Sequence, residues 1–181
     1  MRIIKAMEEK YLLSSLDLVE QVFTDHESAQ EGALVRTLVE EIRSMDRYIP
    51  ELELIMVDQT DFPIGYCMFS RFSLMDQENA GLLLLSPVAV KTQLQRQHIS
   101  RELIEYGFAR AAAMDYQAVL VEGNPRNYRS RGFVPSHSFG ITAHESVGLP
   151  APECLMAREL VPGALNDVHG QVCYRDYRTL T

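Results

Sequence analysis

The chain lacks a disulfide framework, a basic face, a membrane-length apolar run and the common metal and nucleotide motifs. Each absence excludes something. Its cysteines, Cys67, Cys154 and Cys173, are 3 in number, widely spaced and never paired as CxxC. That usage fits reduced thiols in a cytoplasmic protein better than disulfides or a zinc site. Lys and Arg total 17 against 25 Asp and Glu, a net charge of −8, so no basic surface is at hand to neutralise nucleic-acid phosphates. The longest apolar stretch, 81–85 and then 87–90, is interrupted and far too short to span a bilayer, so no membrane partner is expected. Residues 1–10 carry Arg2, Lys5, Glu8 and Glu9, unlike the apolar centre of a signal peptide. The histidines are scattered without an HxxxH pair, which leaves no expected metal site, and neither a G-x-S-x-G elbow nor a Walker loop is present.

What is present reads as one ordinary globular domain over 1–181: 46% hydrophobic and 23% charged residues, with length enough for a proper core. Ile3 and Ile4 suggest a short strand. Leu12, Leu16, Val19, Val22 and Phe23 then recur at helical spacing, and so do Leu34, Leu38, Val39 and Ile42, with Asp25 or Ser28 available to cap the second helix. Pro50 closes this N-terminal part (1–50). A core region (51–137) follows. It opens with a hairpin, 52–57, which alternates around the polar Glu53, and 65–72, turning through 58–63, where Asp61 reads as a turn former. The run 81–90 is a buried strand whose Pro87 cannot donate to a ladder, and so marks an edge, a bulge or a place where strands part.

Ile99, Leu103, Ile104, Gly107, Phe108 and Ala111 form the apolar face of the clearest helix. A short strand at 118–121, a turn at Gly123-Asn124-Pro125, a helical segment holding Tyr128 and a strand start at Phe133-Val134 come next. The last part (138–181) offers a final strand at 154–161 and then a polar, poorly periodic tail. The element order implies an α/β (α+β) fold with a mixed sheet flanked by helices.

The unit from Leu82 to Val121, strand then turn then helix then strand, aims unpaired backbone N–H groups at whatever lies at the helix start, and the helix dipole adds partial positive charge. Lys91, Arg96 and Arg101 surround that turn in an otherwise acidic chain.

The stretch 85–104, LSPVAVKTQLQRQHISRELI, resembles the acetyl-CoA segment of the GNAT N-acetyltransferase superfamily, where an apolar strand leads through a Q/R-x-x-G-x-G/A loop into a helix. Downstream, GNPRNYRSRGF (123–133) is similar to the family's closing motif, a Tyr ahead of a Gly-Phe pair, and LMARELVPGA (155–164) resembles the ending of one branch. The resemblance covers most of the chain. It implies a mostly antiparallel sheet whose strands splay at a coenzyme site, acetyl-CoA as cosubstrate and an amine as acceptor. It implies that the backbone around Val88, Ala89 and Val90 holds the pantetheine arm. Gln95, Arg96, Gln97, His98, Ile99, Ser100 and Arg101 would wrap the pyrophosphate. Asn124 would lie beside the pantetheine, and Tyr128 would protonate the departing thiolate, which suits a phenol that keeps its proton at neutral pH. Glu122, at a strand end, is the candidate base, although such carboxylates are commonly just solvated. His137 and His144 could line the acceptor side, and otherwise are loop residues.

The sequence departs from the pattern at His98, where the first loop glycine falls, and at Ser100, the final small residue. A side chain at 98 either crowds the phosphates or stays clear and donates a hydrogen bond when protonated. Two functions therefore stand: an acyl-CoA-dependent N-acyltransferase, and a non-catalytic protein of the same fold with weakened coenzyme binding. A cationic acceptor suits the acidic chain, and a homodimer is the commonest assembly of soluble proteins.

Overall fold

In the computed structural model, which describes residues 1–78 and 81–181, the expected elements form in order. β1 (Ile3–Ala6) leads through a short 3-10 turn into α1 (Leu12–His26), and α2 (Ala29–Arg43) follows after two residues. Ser28 is the cap: its hydroxyl accepts the Glu31 N–H at 3.1 Å, while Asp25 lies inside α1. β2 (Glu53–Val57) and β3 (Pro63–Arg71) make the hairpin, and β4 (Leu82–Val90) returns antiparallel beside β3. α3 (Ile99–Ala113) crosses over to β5 (Ala118–Glu122), and α4 (Pro125–Tyr128) is a single turn. β6 (Val134–Pro135), β7 (Ile141–Ala143), β8 (Leu155–Glu159) and β9 (Gly170–Val172) complete the chain.

The main sheet runs β1-β2-β3-β4-β5-β8-β6, antiparallel throughout except for the parallel pair β4 and β5. Strand alternation sends its side chains to two cores. Ile55, Tyr66, Met68, Leu82 and Leu84 pack against α1 and α2. Leu54, Cys67, Phe69, Leu83 and Leu85 pack against α3, whose buried residues are the six predicted from its periodicity. Gly107 is what lets α3 lie so close: a Cβ there would stand 2.2 Å from the Phe69 ring.

The 162–181 segment departs from the polar tail expected of it, and 155–159 is not the last strand. β9 pairs in parallel with β7, while Leu165, Val172 and Tyr177 are buried with the α1–α2 core. The three buried residues are spaced seven and five apart, which carries no periodicity to read, and β7 and β9 are separated by the intervening β8.

Two polar clusters tie the helices to the sheet. Asp61 has the positive φ of a turn residue and does more than turn the chain. It accepts from Lys5 (2.8 Å), Lys10 (2.7 Å) and Tyr11 (2.5 Å), and these donors, Lys10 foremost, hold its carboxyl below the usual carboxylate range. Glu53 is fully buried, where alternation along β2 suggested only a polar position. Its Oε1 accepts from Arg43 Nε (2.9 Å), Arg43 Nη2 (2.7 Å) and Tyr66 Oη (2.6 Å), and Oε2 accepts from Tyr48 Oη. Arg43 also donates to Ser15 Oγ and to the Leu12 carbonyl, so one ion pair joins α1, α2, β2 and β3. Burial, and after it the Glu53 charge, push the Tyr66 phenol well up, so it stays a donor.

Removing one member of such a pair strands the other charge in the core. Glu53→Gln is expected to destabilise the fold by about 3–5 kcal/mol, read as a fall in the urea midpoint at unchanged m-value. A loss below about 1 kcal/mol would mean that water reaches Arg43.

Candidate functional site

The site begins where β4 and β5 separate. They pair only at Leu82–Ala118, Leu83–Val119 and Leu84–Leu120. Beyond that, the β3–β4 register shifts across Cys67 to Phe69, opposite Leu85 to Val88, and Pro87 sits within this bulge. The bulge reverses the parity of β4: Leu83 and Leu85 face the α3 core, and after it Val88 and Val90 do. The Lys91 N–H donates to the Ile64 carbonyl at 3.0 Å, on the β3 side. By strand alternation the N–H and C=O of Val88 and Val90 therefore point the other way, into the gap that β5 has left. Pro87 thus marks both a bulge and a parting of strands.

The loop after β4 supplies a second set of free donors. The six backbone N–H groups from Arg96 to Arg101 have no partner among the described residues, and the first intrahelical bond runs from Glu102 N–H to the His98 carbonyl. Arg96 (φ 62) and His98 (φ 65) are left-handed, which curls this run of N–H groups toward one side and sets His98 as the N-cap of α3. His98 therefore keeps the conformation that glycine favours, and its side chain is exposed. The loop is tethered to the end of α1: Thr92 Oγ1 donates to Asp25 (2.6 Å), and Gln95 Nε2 lies 2.6 Å from His26 Nε2 and 3.3 Å from the Val90 carbonyl.

These donors open into a groove of about 620 Å³, bounded by Val88, Val90, Gln95, Arg96, His98, Ile99 and Ser100, with Tyr128 and Arg131 opposite. Of the other candidates, Ala89 points into the α1–α2 core, and Gln97 and Arg101 are exposed beyond the lining. A second groove of about 580 Å³ lies between α1–α2 and the ends of β4 and β5, and it holds Glu122 and Asn124. Phe23, Glu27, Val88, Asn127 and Tyr128 line both, so the grooves meet there.

Asn124 caps α4, its Oδ1 accepting the Arg126 N–H at 3.0 Å. Glu122 Oε2 accepts from Tyr174 Oη at 3.0 Å, and burial first, with the Glu122 charge second, pushes that phenol far up. The Tyr128 ring packs edge-on against Phe133 with centroids 5.6 Å apart, over Gly123, where a Cβ would approach its Cε2 to 2.6 Å. Its hydroxyl has no hydrogen bond among the described residues, and burial raises its pKa. His144 Nδ1 lies 2.8 Å from Ser146 Oγ, and His137 is exposed; neither lines a groove.

Sequence reasoning overlooked Arg131, Glu27 and Tyr174. Arg131 donates to Ser100 Oγ (2.9 Å) and to the Asn127 carbonyl, and has a buried Nε without a partner; burial, foremost, lowers its pKa. Its position three after Tyr128 was the available signal. Glu27 and Tyr174 reach the site only through tertiary packing.

Solved structures decide the fold. A GNAT family N-acetyltransferase (YhbS) from Escherichia coli, solved in complex with CoA, superposes with a TM-score of 0.81 over 97% of this chain and 91% of its own, at 24% identity. The chain has the GNAT N-acetyltransferase fold. A GNAT family acetyltransferase from Brucella melitensis in complex with acetyl-CoA matches with a TM-score of 0.69 at 19% identity, over 97% of this chain and 96% of its own. An aminoglycoside 6'-N-acetyltransferase complexed with coenzyme A does so with 0.62 at 15%, over 88% and 98%. No family sequence model and no curated protein matches this chain. The splayed β4–β5 pair described above is thus a feature of a GNAT fold, and among the described residues no helix is long and apolar enough to cross a membrane.

An L-residue held left-handed costs about 1 kcal/mol. His98→Gly should therefore raise stability by about that much, read from the urea midpoint; an unchanged or lowered midpoint would show that the imidazole makes compensating contacts.

Proposed function

We propose that this chain is an acyl-CoA-dependent N-acyltransferase that passes an acetyl group directly to a primary amine. The observation that carries the reading is the unbroken run of free N–H groups from Arg96 to Arg101 beside the unpaired edge of β4, with Tyr128 at its far end. A run of unpaired N–H groups at a helix N-terminus favours an anion, and a pyrophosphate is a ligand it suits. Arg131, with its unpaired buried Nε, and Arg96 add positive charge to the same groove. His98 is compatible with the fit, because its backbone already adopts the conformation that glycine favours.

When bound, the coenzyme supplies an activated acyl group on a good leaving thiolate. The chain's own residues do the rest. The backbone N–H groups of Val88 and Val90 and the Val88 carbonyl extend the sheet by holding a pantetheine amide chain, which fixes the thioester at the junction of the grooves. A strand N–H there stabilises charge developing on the carbonyl oxygen. The amine arrives through the second groove, its nitrogen bonds to the acyl carbon, and the C–S bond breaks. Tyr128 gives the thiolate a proton from an Oη that nothing else occupies, and its burial keeps that proton in place at neutral pH. Glu122 receives the proton the amine sheds, held in position by the Tyr174 hydroxyl.

Titration with acetyl-CoA and with desulfo-CoA should give micromolar binding of both. Tyr128→Phe is expected to lower kcat by about 10²-fold while leaving the affinity for acetyl-CoA near that of the parent. Full turnover in Tyr128→Phe would remove the acid from the mechanism, and no coenzyme binding at millimolar concentration would leave the fold as a non-catalytic scaffold.

A further inference from the structure

The second groove carries information about the acceptor that overall acidity does not. Its walls combine apolar side chains from α1 and α2, among them Phe23, Leu34, Val35 and Leu38, with the carboxylates of Glu27, Glu31 and Glu122. No lysine, arginine or histidine lines it. The carboxylates are also uncommitted: among the described residues none of the three pairs with a cation. Glu122 accepts only from a phenol. The neighbouring groove has the opposite character, with Arg96, Arg131 and the free N–H groups, and the two share the surface between Glu27 and Tyr128.

From this we infer that the second groove binds a small cationic amine carried on an apolar stem, its ammonium drawn by the Glu27, Glu31 and Glu122 carboxylates and its hydrocarbon laid along the α2 side. This rests on the transferase reading and narrows it. A carboxylate on the acceptor would face three like charges with no cation to meet it, so amino acids and other acidic amines are disfavoured. A volume of about 580 Å³ lies within the ordinary range of small-molecule sites and exceeds what a bare amino group would fill. Continuity with the first groove at Val88 and Tyr128 brings such an amine to the thioester without any rearrangement of the chain.

Hexylamine and hexanoate carry the same stem and opposite charges. Titrated into the full chain, with and without coenzyme A, hexylamine should bind at least about ten-fold more tightly. The double substitution Glu27→Gln, Glu31→Gln should bring that ratio below about three-fold; circular dichroism and the urea midpoint establish that the variant is folded, and of the two residues Glu27 is exposed after α1 and Glu31 half-buried in the first turn of α2. Equal or tighter binding of hexanoate, or a preference untouched in the folded variant, overturns the inference. Thiol release from acetyl-CoA then compares leucinamide with leucine, which differ only in the carboxylate. Faster acetylation of leucinamide by about ten-fold or more supports the inference. Equal use of leucine overturns it and leaves the transferase reading standing. Failure of acetyl-CoA to bind defeats the transferase reading, while the hexylamine-to-hexanoate ratio still decides what this groove accepts.

Discussion

The parting of β4 from β5 is the constraint on which the rest of the site depends. Three paired positions hold the two strands together at one end, and a bulge around Pro87 turns β4 away at the other. A sheet interior with an open seam leaves backbone donors and acceptors exposed in the middle of a fold, where they would ordinarily be satisfied. The seam is tolerable because it faces a groove, and because β5 is held from its other side by β8 along its whole length. Both grooves, the junction between them and the position of Tyr128 follow from this divergence.

Around the seam, packing and charge divide the labour. The buried Arg43–Glu53 pair and its tyrosines anchor α1 and α2 to the sheet, so that the end of α1 overhangs the gap as a fixed wall. α3 is seated on the other face by Gly107 against Phe69, which sets the direction of its N-terminus. One groove is therefore lined by N–H groups and guanidinium, the other by carboxylates and hydrocarbon, although the chain as a whole is acidic. Net charge says little about either groove; the local placement of a few residues sets each one.

Legibility in the sequence followed the range of the interactions. The cap was narrowed to Asp25 or Ser28 and Pro87 to an edge, a bulge or a parting of strands, while the six-residue face of α3 and the hairpin rest on neighbours within a few positions and were readable. The residues assembled by long-range contact were not. Tyr174 meets Glu122 from 52 positions away, Glu27 joins the junction by the packing of α1 over the seam, and β9 finds β7 across a segment that includes β8. Glu53 looked like one polar position in an alternating strand, because its burial depends on an arginine from another element.

His98 separates the two kinds of knowledge most clearly. The sequence alone put a histidine at 98, in a loop that resembles one where glycine is expected, and it determined the local elements, because periodicity, caps and turn chemistry act between neighbours. It left open whether that side chain would obstruct the loop. The tertiary structure adds the backbone: the loop, tethered to α1 through Thr92 and Gln95, holds residue 98 at a left-handed φ, as an exposed residue that lines the groove. Backbone direction at such a position is set by what the loop is tied to, and those ties reach across nearly seventy residues.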